Sequence, residues 1–293
     1  MRKYLRLLLL IPGFSFGQNL DLLRKDVVGI LMPVQGTFAV AFESLDGQAR
    51  LFLHEKEMFH AASTMKTPVM IEVFRQAKEG LFTLEDGVAV KNEFKSIVDG
   101  STYQLDPNDD IDGSMYAKIG SRVSIRELLH HMITVSSNLA TNLLIDLVDP
   151  SKISATMRTL GANDIEVLRG VEDGKAFDRG LNNRTNAYDL LVIMRAVAKG
   201  QAVDSASSQK MVEILMDQTL NELIPALLPT NVRVAHKTGS ITGMEHDSGI
   251  VFLPDGRRYI LVILSKDLKD DDGGKRAIAL VSKRIYDFMM NGI

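Results

Sequence analysis

Ser63 stands three residues ahead of Lys66 in the stretch HAASTMKTPVMIEVF, where an apolar run of helical spacing begins. Residues three apart on a helix share a face, so the lysine amine can lie near the serine hydroxyl. A serine hydroxyl is a weak nucleophile until a neighbour takes its proton, and a helix N-terminus favours negative charge developing there. Pro68 falls in the early turns, where a missing N–H costs least. The same spacing recurs at Ser207 and Lys210 in SSQKMVEILM, where Ser207 is expected to cap a helix. A capped helix with a solvated lysine has the same pattern, so the company each pair keeps must decide between them.

Two further motifs accompany the first pair. Ser136-Ser137-Asn138 lies in HHMITVSSNLATNLLI. The Ser136 hydroxyl can relay a proton to a leaving nitrogen, and the Asn138 amide can face both a substrate and Lys66. Serine and asparagine also serve as loop and helix caps. Lys237-Thr238-Gly239 lies in VRVAHKTGSITG, near the end of a strand. Lys237 can attract a carboxylate and hold Ser136 in a protonated network. Thr238 and Ser240 offer hydroxyls to that carboxylate, and Gly239 lets a ligand approach the strand edge. Two ammonium groups in one cleft should make Lys66 easier to deprotonate.

The trio, in this order and each on a fitting element, resembles the motif set of class A β-lactamases and penicillin-binding proteins. The resemblance runs through essentially the whole mature chain. It implies a serine hydrolase that opens a β-lactam ring through an acyl-enzyme on Ser63, with Lys66, Ser136 and Glu172 catalytic. Asn138, Lys237, Thr238, Gly239 and Ser240 would bind the substrate, and the backbone N–H groups of Ser63 and Ser240 would form the oxyanion hole. Such a hole is valuable: one donor typically supplies about 3 kcal/mol of transition-state stabilisation. The resemblance implies no metal and no cofactor. The partner would be a small β-lactam or a peptidoglycan-like substrate, bound by a monomer.

The chain departs from the family pattern in two places. The family's deacylating glutamate is matched by Glu172 in LRGVEDGKAFDRGLNNRTNAYDL, but its companion asparagine would fall on Ala176. A shifted match uses Asp178, with Leu181 and Asn182 completing DRGLN. Glu172 is preferred, with Asn182 or Asn183 available to hold the water; either acid is also compatible with a loop surface. The second departure follows Lys-Thr-Gly, where the strand reads MEHDSGIVF and lacks the family's carboxylate-binding arginine. His246 and Asp247 are expected to form a structural pair there. A D-alanyl-D-alanine carboxypeptidase or esterase, and a β-lactam sensor acylated once, share the acylation residues and remain alternatives.

Composition narrows the rest. The 293 residues are 45% hydrophobic and 24% charged, which suits one large globular domain or two intimate halves. The net charge of −3 does not point to nucleic acid. Cysteine is absent, which excludes disulfides, a thiolate nucleophile and cysteine metal sites. Among the 6 histidines none completes a His-Glu-x-x-His zinc helix; HEKEMFH comes nearest. Arg2, Lys3 and Arg6 precede an apolar stretch led by Leu7–Ile11 that is too short to span a bilayer, with Ser15 and Gly17 before an expected cut. Export to the periplasm or exterior follows, with no stable membrane anchor after cleavage; a retained anchor is the alternative. Gly13–Gly17, GFSFG, matches a nucleophile elbow but ends this signal instead of joining a strand to a helix. Asp106, Asn108, Asp110 and Asp112 alternate like a calcium loop without its frame or closing glutamate, and read as a solvated acidic loop.

The elements that must position the motifs follow from periodicity. A helix is expected over Gln18–Ile30. TFAVAFESL and ARLFLHE, joined at Asp46–Gln48, read as a hairpin. The chain from 63 to 228 reads as mainly helical, with Gly161 as a C-cap. VRVAHKTG, DSGIVFLP and RYILVILSK read as strands, the last two joined by a turn at Pro254–Gly256, and KRAIALVSKRIYDFMM as a closing helix. The fold class is therefore α/β (α+β): an antiparallel sheet built from both termini with flanking helices, an all-helical lobe, and an active-site cleft between them. The expected organisation is a signal at 1–17 and a single catalytic domain at 18–293, with its α/β part at 18–62 and 229–293 and its helical part at 63–228.

Overall fold

The computed structural model describes residues 16–291. The expected signal, up to residue 15, lies outside the described residues, as does most of the GFSFG match. Helix α1, Phe16–Leu31, leads into the hairpin of β1, Thr37–Ser44, and β2, Arg50–Leu53. A 3-10 turn at Ala62–Met65 runs into α2, Lys66–Lys78. The helical part continues through α3, Ile125–Thr134; α4, Asn138–Val148; α5, Pro150–Thr159; α6, Gly174–Asp178; α7, Ala187–Ala198; and α8, Ser205–Met216. Strands β3, Arg233–Ile241, β4, Met244–Phe252, and β5, Arg258–Lys266, precede the closing helix α9, Asp271–Asn291.

The sheet order is β2-β1-β5-β4-β3, with antiparallel pairing throughout. The N-terminal hairpin thus meets the C-terminal strands where β1 pairs with β5, as the strand patterns at the two ends implied. Side chains alternate across the sheet and feed two cores. Ala39 and Ala41 of β1, with Ile260, Val262 and Leu264 of β5, join the core shared with the helical part. Phe38, Val40, Phe42, Tyr259, Leu261 and Ile263 join the other core, with Leu23 and Val27 of α1 and Ile278 and Ile285 of α9. Covered on both faces, β1 and β5 are apolar along nearly their whole length and show no polar alternation.

The helical part also holds short ladders, such as Phe59–His60 with Arg184–Thr185, which tie its loops to the sheet side. Gly161, at φ +90°, follows α5 as a C-cap, and its N–H reaches Arg158 O. One cap differs from expectation. The Ser207 N–H donates to Asp204, which caps α8, so Ser207 lies inside the first turn and Lys210 is exposed. A carboxylate at the cap complements the helix dipole as well as the free N–H groups. The Ser207–Lys210 pair is therefore part of a surface helix.

Candidate active site

The turn before α2, the turn before α4 and the edge strand β3 converge. Ser63 sits half-buried in the 3-10 turn, and Lys66 opens α2 with its side chain fully buried. Lys66 Nζ donates to Ser136 O at 2.6 Å, Ser136 Oγ at 3.1 Å and Asn138 Oδ1 at 3.0 Å. The amine's three hydrogen bonds go to the Ser136–Asn138 turn and not to the Ser63 hydroxyl that the sequence spacing placed beside it. Lys237 Nζ, also fully buried, reaches the same Ser136 Oγ at 3.1 Å and its neighbour Thr238 O at 2.9 Å. A hydroxyl oxygen that accepts from two ammonium groups has its own hydrogen left to offer elsewhere.

Burial pushes the Lys66 amine down to about 7, against the attraction of Asp110 and Glu172. Lys237 is also pushed well below an ordinary lysine, first by burial and then by Lys66, with Asp247 opposing. Repulsion between the two ammonium groups was the expected cause for Lys66. Removal from water acts first on both, because an ammonium ion loses most when its hydration shell is stripped.

The backbone is bent at each corner of the cleft. Ala62, Ser136 and Glu172 have φ of +43°, +59° and +61°, a region that non-glycine residues enter only when their surroundings dictate it. Ala62 is held by its N–H, which donates to His60 Nδ1 at 3.0 Å. Burial, with the charges of Arg169 and His246, pushes His60 down to about 4, which keeps that nitrogen free to accept. Gly239 lets β3 close on the turn: a β-carbon there would lie 3.0 Å from the amide nitrogens of Ser63 and of Thr64. The amide nitrogen of Ser63 therefore lies close against the strand end that carries Thr238, buried, and Ser240, exposed.

Glu172 lies across the cleft. Its Oε1 accepts from Asn138 Nδ2 at 3.2 Å and its Oε2 from the Asp106 N–H at 3.0 Å. Burial raises its carboxyl above the usual range, helped by Asp109 and Asp110. Asn138 therefore bridges Lys66 and Glu172 through the two ends of one amide. Ser63, Asn138, Glu172 and Ser240 line one cleft, together with His60, Asp109, Arg169 and Asn183. Asp178 ends α6 in an exposed position and is not among the lining residues.

The segment carrying Glu172 is pinned from within. The buried Arg169 guanidinium donates to Gly170 O, Leu181 O and Asn182 Oδ1. Asn183 Oδ1 accepts from the N–H groups of Leu168 and Arg169, and its Nδ2 donates to Arg169 O. Both asparagines proposed as water holders thus spend these groups bracing the segment.

Two sequence expectations are corrected here. His246 and Asp247 do not pair with each other. His246 bonds His60 O and the Ser265 N–H, while Asp247 pairs with His236 at 2.9 Å and accepts from the Ile224 N–H. Consecutive strand residues point to opposite faces, and Asp247 instead meets the diagonal neighbour on β3. The acidic loop is not uniformly solvated. Asp110 is 8% exposed, and its Oδ2 accepts from Asn138 N at 2.8 Å, Leu139 N at 3.1 Å and Ser137 Oγ at 3.3 Å. Asp112 caps the 3-10 turn Gly113–Lys118 and pairs with His131 at 2.7 Å. Asp110 was missed as a site residue because nothing local distinguishes it from its exposed neighbours. Where the arginine is absent, β4 presents Glu245, whose Oε1 accepts from Ser240 Oγ at 3.0 Å. Burial raises that carboxyl to about 7, against Ser240 and Lys275.

Among the described residues, no helix is long and apolar enough to cross a membrane. A family model described as the beta-lactamase enzyme family matches residues 22–289. The sequence is 24% identical over 298 positions to the extended-spectrum beta-lactamase PER-1 of Pseudomonas aeruginosa, covering 96% of this chain and 92% of that protein. Its structure is similar to a beta-lactamase from Sphaerobacter thermophilus, with TM-score 0.77, 25% identity and coverage of 90% and 95%. It is also similar to a point mutant of PBP-A solved as an acyl-enzyme complex with penicillin G, with TM-score 0.78, 26% identity and coverage of 92% and 97%.

Proposed function

The chain belongs to the beta-lactamase enzyme family, and on that premise we propose that it is a secreted serine hydrolase that opens β-lactam rings through an acyl-enzyme on Ser63. The single observation that carries the reading is the shared hydroxyl: Ser136 Oγ lies 3.1 Å from both Lys66 Nζ and Lys237 Nζ. In acylation, Ser63 Oγ adds to the lactam carbonyl carbon and gives its proton to the neutral form of Lys66, which an amine titrating near 7 supplies at neutral pH. The oxyanion rests on the N–H groups of Ser63 and Ser240. The C–N bond then breaks, Ser136 passes its proton to the departing nitrogen, and Lys66 returns a proton to Ser136 along their hydrogen bond.

In deacylation, Glu172 takes a proton from water as the oxygen adds to the ester carbonyl. The C–O bond to Ser63 breaks, and the proton goes back to the serine oxygen. A raised carboxyl is the stronger base once ionised, which suits this step. Asn138, Lys237, Thr238, Gly239 and Ser240 bind the substrate, and Lys237 draws its carboxylate.

A second reading has a specific support. The similarity to a PBP-A point mutant solved as a penicillin G acyl-enzyme suits an enzyme that acylates readily and releases slowly. Both Glu172 oxygens already hold hydrogen bonds, so an incoming water must share one. A chromogenic cephalosporin separates the readings. Sustained turnover supports hydrolysis; one stoichiometric burst supports a sensor; turnover of D-alanyl-D-alanine peptides alone supports a carboxypeptidase. Export, cleavage after Gly17 and a single catalytic domain at 18–293 complete the proposal. An intact Met1 on protein from a native envelope extract refutes the cleavage, and elution as a dimer refutes the monomer.

A further inference from the structure

We propose that Asp110 is a positioning residue of this site: its carboxylate pins the Ser136–Asn138 turn and supplies the buried Lys66 with a counter-charge. The inference rests on the proposed acyl-serine reading for its kinetic consequence, but its structural part stands without it. Asp106 and Asp109 on the same loop are exposed, whereas Asp110 is buried. A carboxylate leaves water at a high cost unless hydrogen bonds and charge replace its hydration.

Both replacements are present. The backbone N–H groups of Asn138 and Leu139, at the start of α4, point at Asp110 Oδ2 from 2.8 and 3.1 Å, and the Ser137 hydroxyl adds a third contact. The first N–H groups of a helix have no partner inside it. Ser137 already serves Ala140 as the local cap, so Asp110 acts as a second cap brought from another segment. The turn it braces includes Ser136 at φ +59°, a conformation that persists only when several contacts enforce it. The residue whose backbone it holds, Asn138, is the one whose side chain contacts both Lys66 and Glu172.

The charges are arranged accordingly. Asp110 and Glu172 both oppose the loss of the Lys66 proton, with Asp110 the larger. Lys237 faces Lys66 across Ser136 Oγ and has Asp247 as its own counter-charge. Burial first, and then Asp109 and Asp110, raises Glu172; burial first, and then Asp110 and Glu172, raises Tyr116. Asp110 therefore acts on the base of each half-reaction, holding Lys66 protonated to higher pH and Glu172 protonated to higher pH.

The test compares Asp110→Asn with Asp110→Ala. The asparagine oxygen still accepts from the two backbone N–H groups, so the turn is retained while the charge is removed. NMR titration of isotopically labelled lysine, with no substrate, reads Lys66 directly. The expected result for Asp110→Asn is a fall of the Lys66 midpoint by on the order of one pH unit. The acid limb of acylation by a fluorescent penicillin should move the same way. Asp110→Ala should also lower the maximal acylation rate by about tenfold or more, through the loosened turn. A Lys66 midpoint unmoved by Asp110→Asn overturns the counter-charge. Wild-type acylation by a folded Asp110→Ala overturns the bracing; if that variant does not fold, wild-type acylation by Asp110→Ser, whose shorter side chain cannot reach both N–H groups, overturns it instead. A shifted midpoint in a protein that no penicillin acylates sinks the proposed function and leaves the positioning role standing.

Discussion

Replacing Lys66 with methionine should make folding stability less dependent on pH. Lys66 is fully buried and its amine titrates at about 7, against 10.5 for an ordinary lysine. Because the folded value is depressed, the unfolded chain binds more protons between those two pH values, so stability rises with pH across that window. Below pH 7 the penalty is present in full. The difference of 3.5 units corresponds to about 5 kcal/mol at 1.36 kcal/mol per unit. Between pH 7 and 9 the wild type should therefore recover about 2.3 kcal/mol that Lys66→Met cannot. The methionine leaves Ser136 O and Asn138 Oδ1 without a donor, at a cost of about 1–3 kcal/mol each, but that cost does not vary with pH. Relief of Lys237 from its like-charged neighbour changes the difference in the same direction. Urea unfolding of both proteins at pH 6, 7, 8 and 9 measures it. A stability difference that stays constant across those values would refute the reasoning, and with it a neutral Lys66 at physiological pH.

Three other outcomes are expected. Glu172→Gln should acylate but release the product about 10²- to 10⁴-fold more slowly, with an adduct of substrate mass seen by intact-protein mass spectrometry; unchanged turnover removes Glu172 from the role. Gly239→Ala brings a β-carbon to 3.0 Å from the Ser63 and Thr64 nitrogens and 3.2 Å from the Ala62 β-carbon, so β3 and the turn must part. Acylation should fall about 10²-fold in a protein that still folds, and a fall of less than threefold would contradict the close approach. Glu245, raised to about 7, holds its proton in the folded state where the unfolded chain has lost it, so its contribution is present at low pH and is lost as pH rises from 4.5 through 7. Glu245→Gln should therefore gain stability relative to wild type between pH 5 and pH 8 in thermal melts, and a loss over that range would refute the assignment.

Much of this molecule was legible because its signals are local. The hairpin of β1 and β2, the three C-terminal strands and the closing helix follow from runs of β-branched residues, turn residues and helical spacing. Ser207 was misread as a cap because Asp204, three residues earlier, competes better for the same N–H groups. The pairing of His246 with Asp247 failed because it treated neighbours in sequence as neighbours in space. A strand forbids that, and His236 was the available diagonal partner once the register of β3 on β4 was known.

What the sequence determined by itself is the set of motifs and the elements that carry them. Each depends on a few adjacent residues: Ser63 and Lys66 at one helix start, Ser136 and Asn138 at another, Lys237 to Gly239 on a strand. It also separated Ser63–Lys66 from the surface pair Ser207–Lys210 by the company each keeps. What only the tertiary structure decided is electrostatic and depends on contacts between segments remote in the chain. Burial of two ammonium groups on one hydroxyl comes from bringing α2, the turn before α4 and β3 together, and the placing of Asp110 rather than Asp106 or Asp109 inside the protein comes from its contacts with the start of α4. Charges report their burial and their neighbours, and neither is written in the order of residues along one segment.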